Sequence, residues 1–524
     1  MSAGAGEPAY QGGTLSDMLI DALQRFPDRV AFESETGPSL LYRELAGLVA
    51  QAAALFRRLG LRPGDAVVQL SGNRPETFAL MAAAYMLGLR STTLNTLNGT
   101  ADQRFVIADT GARLVVVDPT YAAQVPALRS DPGIRFLAHG TGVEGVEDFW
   151  TLARMLEPAP LAVKAMASDV VRVAYTGGTT GRPKGVMLSH RSLVAQAIGT
   201  MLACRNVEDQ RFLCAAPISH AAGALIVPVL ATGGTVILQQ GFEPGRFLRG
   251  VERHRATMTM LVPTMITALL EESTRVTTNL ESLELILYGA SPMSADRIRD
   301  AMKAFGPVLV QSYGQTEAPG TVLLLDREDH RHHDPAVLRS AGRPYPGVRV
   351  AVLDDDDQPV PQGGVGELCV RGALVMEGYQ RQPEQTAATL RGGWLHTGDL
   401  ARKDEHGYYH LVDRKKDVIV TGGFNVYPKE VEDAIATWPG VQAVAVIGVP
   451  DDRWGEAVTA IVVPSPGTVL DIQALRASVR ASKGAPATPK TIEVRDALPL
   501  TTLGKVDRNA LRAPFWAGRD RMVN

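Results

Sequence analysis

The stretch Tyr175–His190, "YTGGTTGRPKGVMLSH", sets Gly177, Gly178, Thr179, Thr180 and Gly181 in a row and follows them with Arg182-Pro183-Lys184-Gly185. Glycines and short hydroxyls let a backbone come close to a polyanion, and a lysine beside them adds positive charge. The stretch therefore reads as a phosphate-holding loop. Two common phosphate loops fail on spacing. A P-loop needs its lysine followed at once by Ser or Thr at the start of a helix. Here Lys184 stands between Pro183 and Gly185, and "VMLSH" looks extended. The dinucleotide pattern fails as well, because Gly178-Thr179-Thr180-Gly181 lacks the first glycine and no strand-to-helix context follows. A plain surface turn is the remaining alternative, and a lysine among so many flexible and polar residues weighs against it.

The chain has 524 residues, of which 45% are hydrophobic and 21% charged, with a formal net charge of −3. That length exceeds one ordinary core, so several domains are expected. The charge balance gives no support to a nucleic-acid or anionic-membrane binder. Cys204, Cys214 and Cys369 have no metal-ligand spacing and read as reduced, buried thiols of a cytoplasmic protein. The first residues, "MSAGAGEPAYQGG", lack the basic and apolar regions of a signal peptide. The most apolar run, "ALIVPVLATGGTVIL", is broken by Pro228, Gly233 and Gly234, so no membrane span is expected.

Leu15, Met18, Leu19, Ala22, Leu23 and Phe26 follow helical spacing, with Ser16 near the start, and a second helix is expected from Tyr42 to Leu59. Next come the strand-like "DAVVQL", the helical "PETFALMAAAYMLG" and the strand-like "ARLVVVD". The alternation continues through "TMTMLVP", "TMITALLEES", "LELILYG", the Ser294-capped "SADRIRDAMKAFG" and "PVLVQSYG". Alternating strands and helices imply parallel sheets covered by helices, with ligands beyond the carboxyl ends of the strands. From Val348 the texture becomes hairpin-like, and a compact α+β unit follows "DRKKDVIVTGGFNVYPKEVE". The fold class is thus α/β: a large N-terminal part of several subdomains with parallel sheets and a β-rich subdomain, and a small α+β C-terminal domain. The run Asp354–Asp357 reads as a solvated hairpin turn rather than a cation site. "HRHHD", 330–334, reads as a wet loop rather than a metal site.

"YTGGTTGRPKGV" resembles the phosphate loop of the adenylate-forming superfamily, which includes acyl-CoA and aryl-CoA synthetases, nonribosomal adenylation domains and luciferases. The resemblance extends in order through "YGASP", "YGQTE", "GELCVRG", "GWLHTGDL", "DRKKDVIVTGGFNVYPKEVE" and "LPLTTLGKVDR", nearly the whole chain. One departure is Gly177, where the family usually carries serine; one hydroxyl is lost, and backbone amides still serve.

The resemblance implies an enzyme that joins a carboxylic acid to ATP, giving acyl-AMP and pyrophosphate, and then passes the acyl group to coenzyme A. It implies domains at 1–412 and 418–524 with a hinge at 413–417. Lys505 would bridge the carboxylate and the α-phosphate in the first step, a contact that contributes on the order of 3 kcal/mol. Thr316 would bond the α-phosphate, and Glu317 would hold Mg²⁺, a hard cation suited to carboxylate oxygens. The remaining nucleotide contacts would come from Thr176, Gly178, Thr179, Thr180, Gly181 and Lys184 at the phosphates. Gly289, Ala290, Ser291, Gln311, Tyr313 and Gly314 would serve around the base. Asp399 and Arg414 would take the ribose, since a carboxylate accepts two hydrogen bonds. Lys416 falls where the family places its pivot. Rotation there would withdraw Lys505 and bring up Gly422, Gly423 and Phe424 to line the coenzyme A tunnel.

The acyl pocket is expected from His220, Ala222, Gly223, Tyr288, Gly289, Ala318 and Gly320. His220 as a neutral imidazole would orient the acid or the thiol. The small residues imply a roomy apolar cavity, and no lysine or aspartate stands ready to read an amino acid. A fatty, aryl or polycyclic acid is favoured. An enzyme loading a separate carrier protein is the nearest rival, ahead of a luciferase-like oxidase or a non-catalytic nucleotide-binding scaffold. The expected partners are the acid and coenzyme A, with a carrier protein or a homodimer left open.

Overall fold

The computed structural model describes residues 13–34, 38–129, 131–176, 183–205, 208–273, 277–332, 334–500 and 506–517. They pack as two compact units, one of residues 1–349 with 370–395 and one of residues 350–369 with 396–524. The four-stranded sheet of the β-rich region thus groups with the C-terminal part. Packing does not locate a pivot, which depends on which backbone torsions turn.

The first unit holds two large sheets. One has the order Gly378–Tyr379, Lys184–Ser189, Val170–Thr176, Arg90–Thr93, Ala66–Leu70, Ala112–Val117, Arg135–Ala138, Glu147–Asp148. Its neighbours from Val170–Thr176 outward to Glu147–Asp148 run parallel. The other runs Arg343–Pro344, Ala318–Leu325, Leu309–Gln315, Leu285–Gly289, Met258–Leu261, Arg211–Cys214, Thr235–Leu238, Val30–Ser34, Leu40–Leu41. Its centre is parallel, as apolar runs separated by helices require. The helix Pro75–Met86 is apolar on nearly every side and is accordingly buried on nearly every side.

Local chemistry sets the element ends. Thr14, rather than Ser16, caps the first helix, Leu15–Arg25: its hydroxyl accepts from the Asp17 amide while Asp17 reaches back to the Thr14 amide. Such a cap is worth ~1 kcal/mol. Ser16 lies inside the helix with its hydroxyl buried and unbonded. Ser294 caps Ala295–Phe305 as expected.

His330 corrects the reading of "HRHHD" as a wet loop. It ends a short helix, Arg327–His330, and is buried, with Nε2 2.9 Å from the Tyr288 hydroxyl and Nδ1 2.6 Å from the Asp326 carbonyl. Arg331, His332 and Asp334 around it are exposed. Among the described residues no cluster of His, Cys, Asp and Glu is arranged to hold a metal.

The second unit carries four strands in the order Arg349–Leu353, Gly366–Arg371, Leu395–Lys403, Tyr409–Arg414. The aspartate run is the turn expected: Asp354 accepts from the amides of Asp356 and Gln358, and Asp357 takes φ +58°. A five-stranded sheet follows, with Gly455–Pro464 between Val441–Asp451 and Ile419–Thr421. Alternation along a strand puts Val446 on one face and Ala445 and Ile447 on the other. The first face packs the helices Pro428–Ala436 and Ile472–Ala487 through Val431, Ile435, Leu475 and Val479. The second packs a further helix, Arg508–Trp516, through the fully buried Leu511. Each fully buried apolar side chain here contributes ~1.5–3 kcal/mol.

All three cysteines are free and buried, and burial pushes the Cys204 and Cys214 thiols up to about 12. No helix among the described residues is long and apolar enough to cross a membrane.

Candidate active site

The strands on either side of the glycine-rich loop form the base of a hairpin. Val170–Thr176 runs antiparallel to Lys184–Ser189, and Thr176 stands directly opposite Lys184. The loop is therefore closed at its base by two extended strands, unlike the strand-to-helix base of a P-loop. Gly177, Gly178, Thr179, Thr180, Gly181 and Arg182 lie outside the described residues, as does Lys505.

A second hairpin carries "YGQTE". Leu309–Gln315 and Ala318–Leu325 are antiparallel, Gln315 pairs with Ala318, and Thr316-Glu317 form the two-residue turn. One short segment ties both hairpins together. Gly378–Tyr379 adds as a strand beside Val186 and Met187, and the Gln380 amide donates to the Gly185 carbonyl at 2.7 Å. Two residues earlier, the Met376 amide donates to the Glu317 carbonyl at 2.9 Å. Tyr379 then bridges by side chain: its hydroxyl donates to Glu317 Oε1 at 2.9 Å, and Lys184 Nζ sits 5.3 Å from its ring centroid. Burial first, and the Glu317 charge second, raise the Tyr379 phenol far above its ordinary range, so it stays a donor. A half-buried carboxylate held by a neutral phenol, on a two-residue turn tied to the lysine-bearing phosphate hairpin, fits a Mg²⁺ ligand. Gln315 adds a buried amide nitrogen with no hydrogen-bond partner among the described residues, a donor left for a ligand.

Behind this hairpin, Leu285–Gly289 pairs with Leu309–Gln315, and Gly289 faces Ser312. A Cβ at Gly289 would lie 2.3 Å from the Ser312 carbonyl oxygen, so only glycine lets the two backbones approach. Ala290 follows with φ +69°, a left-handed conformation that costs a non-glycine residue ~1–3 kcal/mol and gathers at functional sites. Ser291 is half-buried and borders a groove of about 360 Å³ between Pro263–Thr267 and Ser291–Arg297. Gln311 turns its amide to the Ser340 carbonyl at 3.4 Å. Tyr313 and Gly314 are half-buried on the same strand. Tyr288 is fully buried in the core formed with Leu261, Ile266 and Ile298, its hydroxyl on His330.

The "PISHAAG" turn is held from two sides. The buried Asn73 donates to the carbonyls of Ala216 and Gln239 and accepts from the Ile218 amide at 2.9 Å. Arg172, on the strand entering the phosphate hairpin, donates to the Ser219 carbonyl at 3.1 Å. His220 follows with Nδ1 2.7 Å from Ser219 Oγ. Burial, helped by the Arg172 charge, lowers its pKa, so the imidazole is neutral at pH 7. Ala222 and Gly223 are buried, and a Cβ at Gly223 would lie 1.9 Å from the Ile218 carbonyl oxygen. Ala318 is buried, whereas Gly320 is exposed at φ +64°.

In the second unit Asp399 and Arg414 are cross-strand partners, with Arg414 Nε 2.6 Å from Asp399 Oδ1. Asp399 is buried and Arg414 exposed. Glu367, from "GELCVRG", accepts from the Gly398 amide at 2.9 Å and from Lys415 at 3.3 Å, fixing the strand Leu395–Lys403 next to Asp399. Lys416 is exposed between two anchored neighbours: Lys415, which also pairs with Asp355, and Asp417, which pairs with Arg512. Burial alone would raise the Asp417 carboxyl, but Arg512 and Arg508 outweigh it and hold it low. Gly422 and Gly423 form an exposed two-residue turn between Ile419–Thr421 and Phe424–Val426, and the exposed Phe424, which pairs with Thr421, opens the second strand. The Gly422 amide donates to the Trp454 carbonyl, and the Trp454 ring occupies the place a Cβ at Gly422 would need.

With this geometry in place, comparison with known proteins places the chain. The AMP-binding enzyme family matches residues 19–380, and the AMP-binding enzyme C-terminal domain matches residues 430–505. A medium/long-chain-fatty-acid–CoA ligase of Mycobacterium tuberculosis is 42% identical over 97% of this chain and 91% of its own. A feruloyl-CoA synthase of an Amycolatopsis species is 40% identical over 91% of this chain and 94% of its own. Among solved structures, ATP-bound MatB from Rhodopseudomonas palustris superposes with TM-score 0.87 at 32% identity, covering 96% of this chain and 99% of that one. The chain belongs to the AMP-binding, adenylate-forming superfamily and, within it, to the acyl-CoA ligases. It is an acid–thiol ligase.

Proposed function

We propose that this ligase activates a hydrophobic carboxylic acid, fatty or aryl, with ATP and transfers the acyl group to coenzyme A. The observation that carries the reading is the chain Lys184–Tyr379–Glu317, which joins the phosphate hairpin to the acidic turn through one buried phenol. A carboxylate is a poor electrophile until its oxygen becomes part of a good leaving group. Phosphoryl-type transfer to that oxygen depends on positioning and charge neutralisation more than on covalent help.

Each residue has a part. Lys184 and the loop 177–182 hold the β- and γ-phosphates, and Glu317 is the Mg²⁺ ligand. Mg²⁺, when bound, offsets phosphate charge during attack at the α-phosphorus. Thr316 orients the α-phosphate, the Gly289–Ser291 turn and Tyr313 enclose the base, and Asp399 with Arg414 takes the ribose hydroxyls. Lys505 bridges the attacking carboxylate and the α-phosphate during adenylation. His220, neutral by burial, orients the acid and then the thiol. Residues 1–412 act as the adenylation domain and 418–524 as the mobile one, pivoting at Lys416. After the turn, Gly422, Gly423 and Phe424 receive the pantetheine arm.

The small buried residues Ala222, Gly223 and Ala318 support an apolar acyl site, and the two ligases described above are named for a medium/long-chain fatty acid and for a feruloyl group. Three buried thiols suit the reducing cytoplasm. The test is thioester formation, followed by mass, across fatty, aryl and polycyclic acids, with free coenzyme A or a pantetheinylated carrier protein as acceptor. Thioester on coenzyme A with an apolar acid is the expected result. Thioester on the carrier alone would move the acceptor assignment to the carrier protein.

A further inference from the structure

We propose that Arg508 and Arg512 are positioning residues for adenylation, tying the segment that bears Lys505 to Asp417, the residue after the pivot. This rests on the reading of Lys505 as the adenylating lysine and of Lys416 as the pivot.

Arg512 Nη2 lies 2.6 Å from Asp417 Oδ1, both side chains nearly buried at 11% and 8% exposure. Arg508 Nη2 donates to both Glu432 oxygens, 2.7 Å from Oε1 and 2.8 Å from Oε2, and Nη1 stands 4.0 Å from Asp417 Oδ2. Glu432 is itself fixed, because Oε1 accepts from the Val446 amide in the middle of the strand Val441–Asp451. Asp413, on the other side of Lys416, accepts from the Lys429 amide at 2.7 Å. Both aspartates of the "DRKKD" segment are therefore pinned to the C-terminal domain's own helices. Arginine suits this role because its planar fork meets two carboxylates in fixed directions, where an ammonium would not.

The same helix governs the lysine segment. Arg508 follows Lys505 by three residues. The segment's described ends are drawn together: Leu500 bridges to Val506, and the Asp507 amide donates to the Pro499 carbonyl at 2.8 Å. Asp507 then caps the helix Arg508–Trp516, and Leu511 seats it in a cluster with Leu498 and Val506. The chain of rigid contacts runs from Asp417 through Arg512 and Arg508 to the stem at Val506. The glycine turn Gly422–Gly423 does not depend on it. That turn follows Asp417 along the backbone and is locked into the sheet by the pairing of Thr421 with Gly455 and by the Gly422–Trp454 bond. A loosened tether should thus misplace Lys505 and spare the turn that serves the thiol step.

The experiment separates the two half-reactions in Arg512→Lys and in the doubly neutral Asp417→Asn/Arg512→Met. Removing both charges avoids a lone buried ion, so the domain stays folded. Acid-dependent pyrophosphate formation should fall on the order of 10²-fold, the effect of a catalytic group shifted by about 1 Å. Conversion of supplied acyl-AMP and coenzyme A to thioester and AMP should keep its wild-type rate. Lys505→Ala is the control. If it leaves pyrophosphate formation intact, the lysine assignment itself is wrong. If it abolishes pyrophosphate formation while the tether variants keep it, or lose both half-reactions equally, the tether is overturned.

Discussion

The Tyr379 hydroxyl donates to Glu317 Oε1 at 2.9 Å, and through that bond the exit of the phosphate hairpin and the acidic turn share one support. The phenol orients the carboxylate without neutralising it, because burial keeps it protonated. Metal-ligating carboxylates commonly have such partners, whose loss weakens metal binding by about 10- to 100-fold. Tyr379→Phe should therefore raise the Mg²⁺ concentration needed for half-maximal pyrophosphate release within that range. A Mg²⁺ titration at saturating ATP checks it; an unshifted midpoint would mean that Glu317 does not carry the metal.

Two glycines near the site should respond differently to one methyl group. At Gly223 a Cβ would stand 1.9 Å from a backbone oxygen of Ile218, and the turn that holds His220 must move to admit it. At Gly320 nothing lies within 4 Å and only the φ of +64° opposes a side chain. Gly320→Ala should cost about 1 kcal/mol of stability with little change in catalysis. Gly223→Ala should raise KM for the acid far more than KM for ATP. Steady-state kinetics and thermal melts of the two variants decide this, and equal effects on both substrates would remove Gly223 from the acyl site.

Asp413 sets a pH dependence with a definite sign. Burial, stronger than its bonds from Lys429 and Arg414 and the nearby Arg508, raises its carboxyl from 3.8 to about 6. A raised folded-state value means that the folded state holds the proton more tightly than the unfolded chain. Stability from this group is complete below the unfolded value and is lost as pH rises through the folded one. Relative to Asp413→Asn, the wild type should lose on the order of 3 kcal/mol between pH 4 and pH 7. Asp417, held low by its arginines despite burial, works in the opposite direction. Denaturant unfolding of both proteins across that range measures the difference, and parallel curves would contradict the burial of the Asp413 charge.

Much of the fold was legible because apolar runs and helical spacing report burial directly. Leu285–Gly289 and Pro75–Met86 fall where the pattern places them. The extended run after Lys184 was legible from "VMLSH", and the structure makes it one arm of a hairpin. The support around these motifs was not legible. Tyr379 and Asn73 act through hydrogen bonds to residues far off in sequence, and no local period marks such a partner. The helix Arg508–Trp516 escaped because it carries Pro514 and buries a single residue deeply, Leu511, so no stripe appears. Ser16 yielded to Thr14 as the cap because Asp17 completes the reciprocal box at Thr14. His330 escaped burial in the sequence reading because its neighbours are polar and its partner, Tyr288, lies on another strand.

The central claim is that acyl-AMP forms on this chain and that Lys505 promotes its formation. The most direct measurement is pyrophosphate release with Mg-ATP and an apolar acid, with and without coenzyme A, in the wild type and in Lys505→Ala. Acid-dependent release that collapses in Lys505→Ala, with thioester appearing only when coenzyme A is present, is the predicted result. Release that ignores the acid, or that persists undiminished in Lys505→Ala, would contradict it.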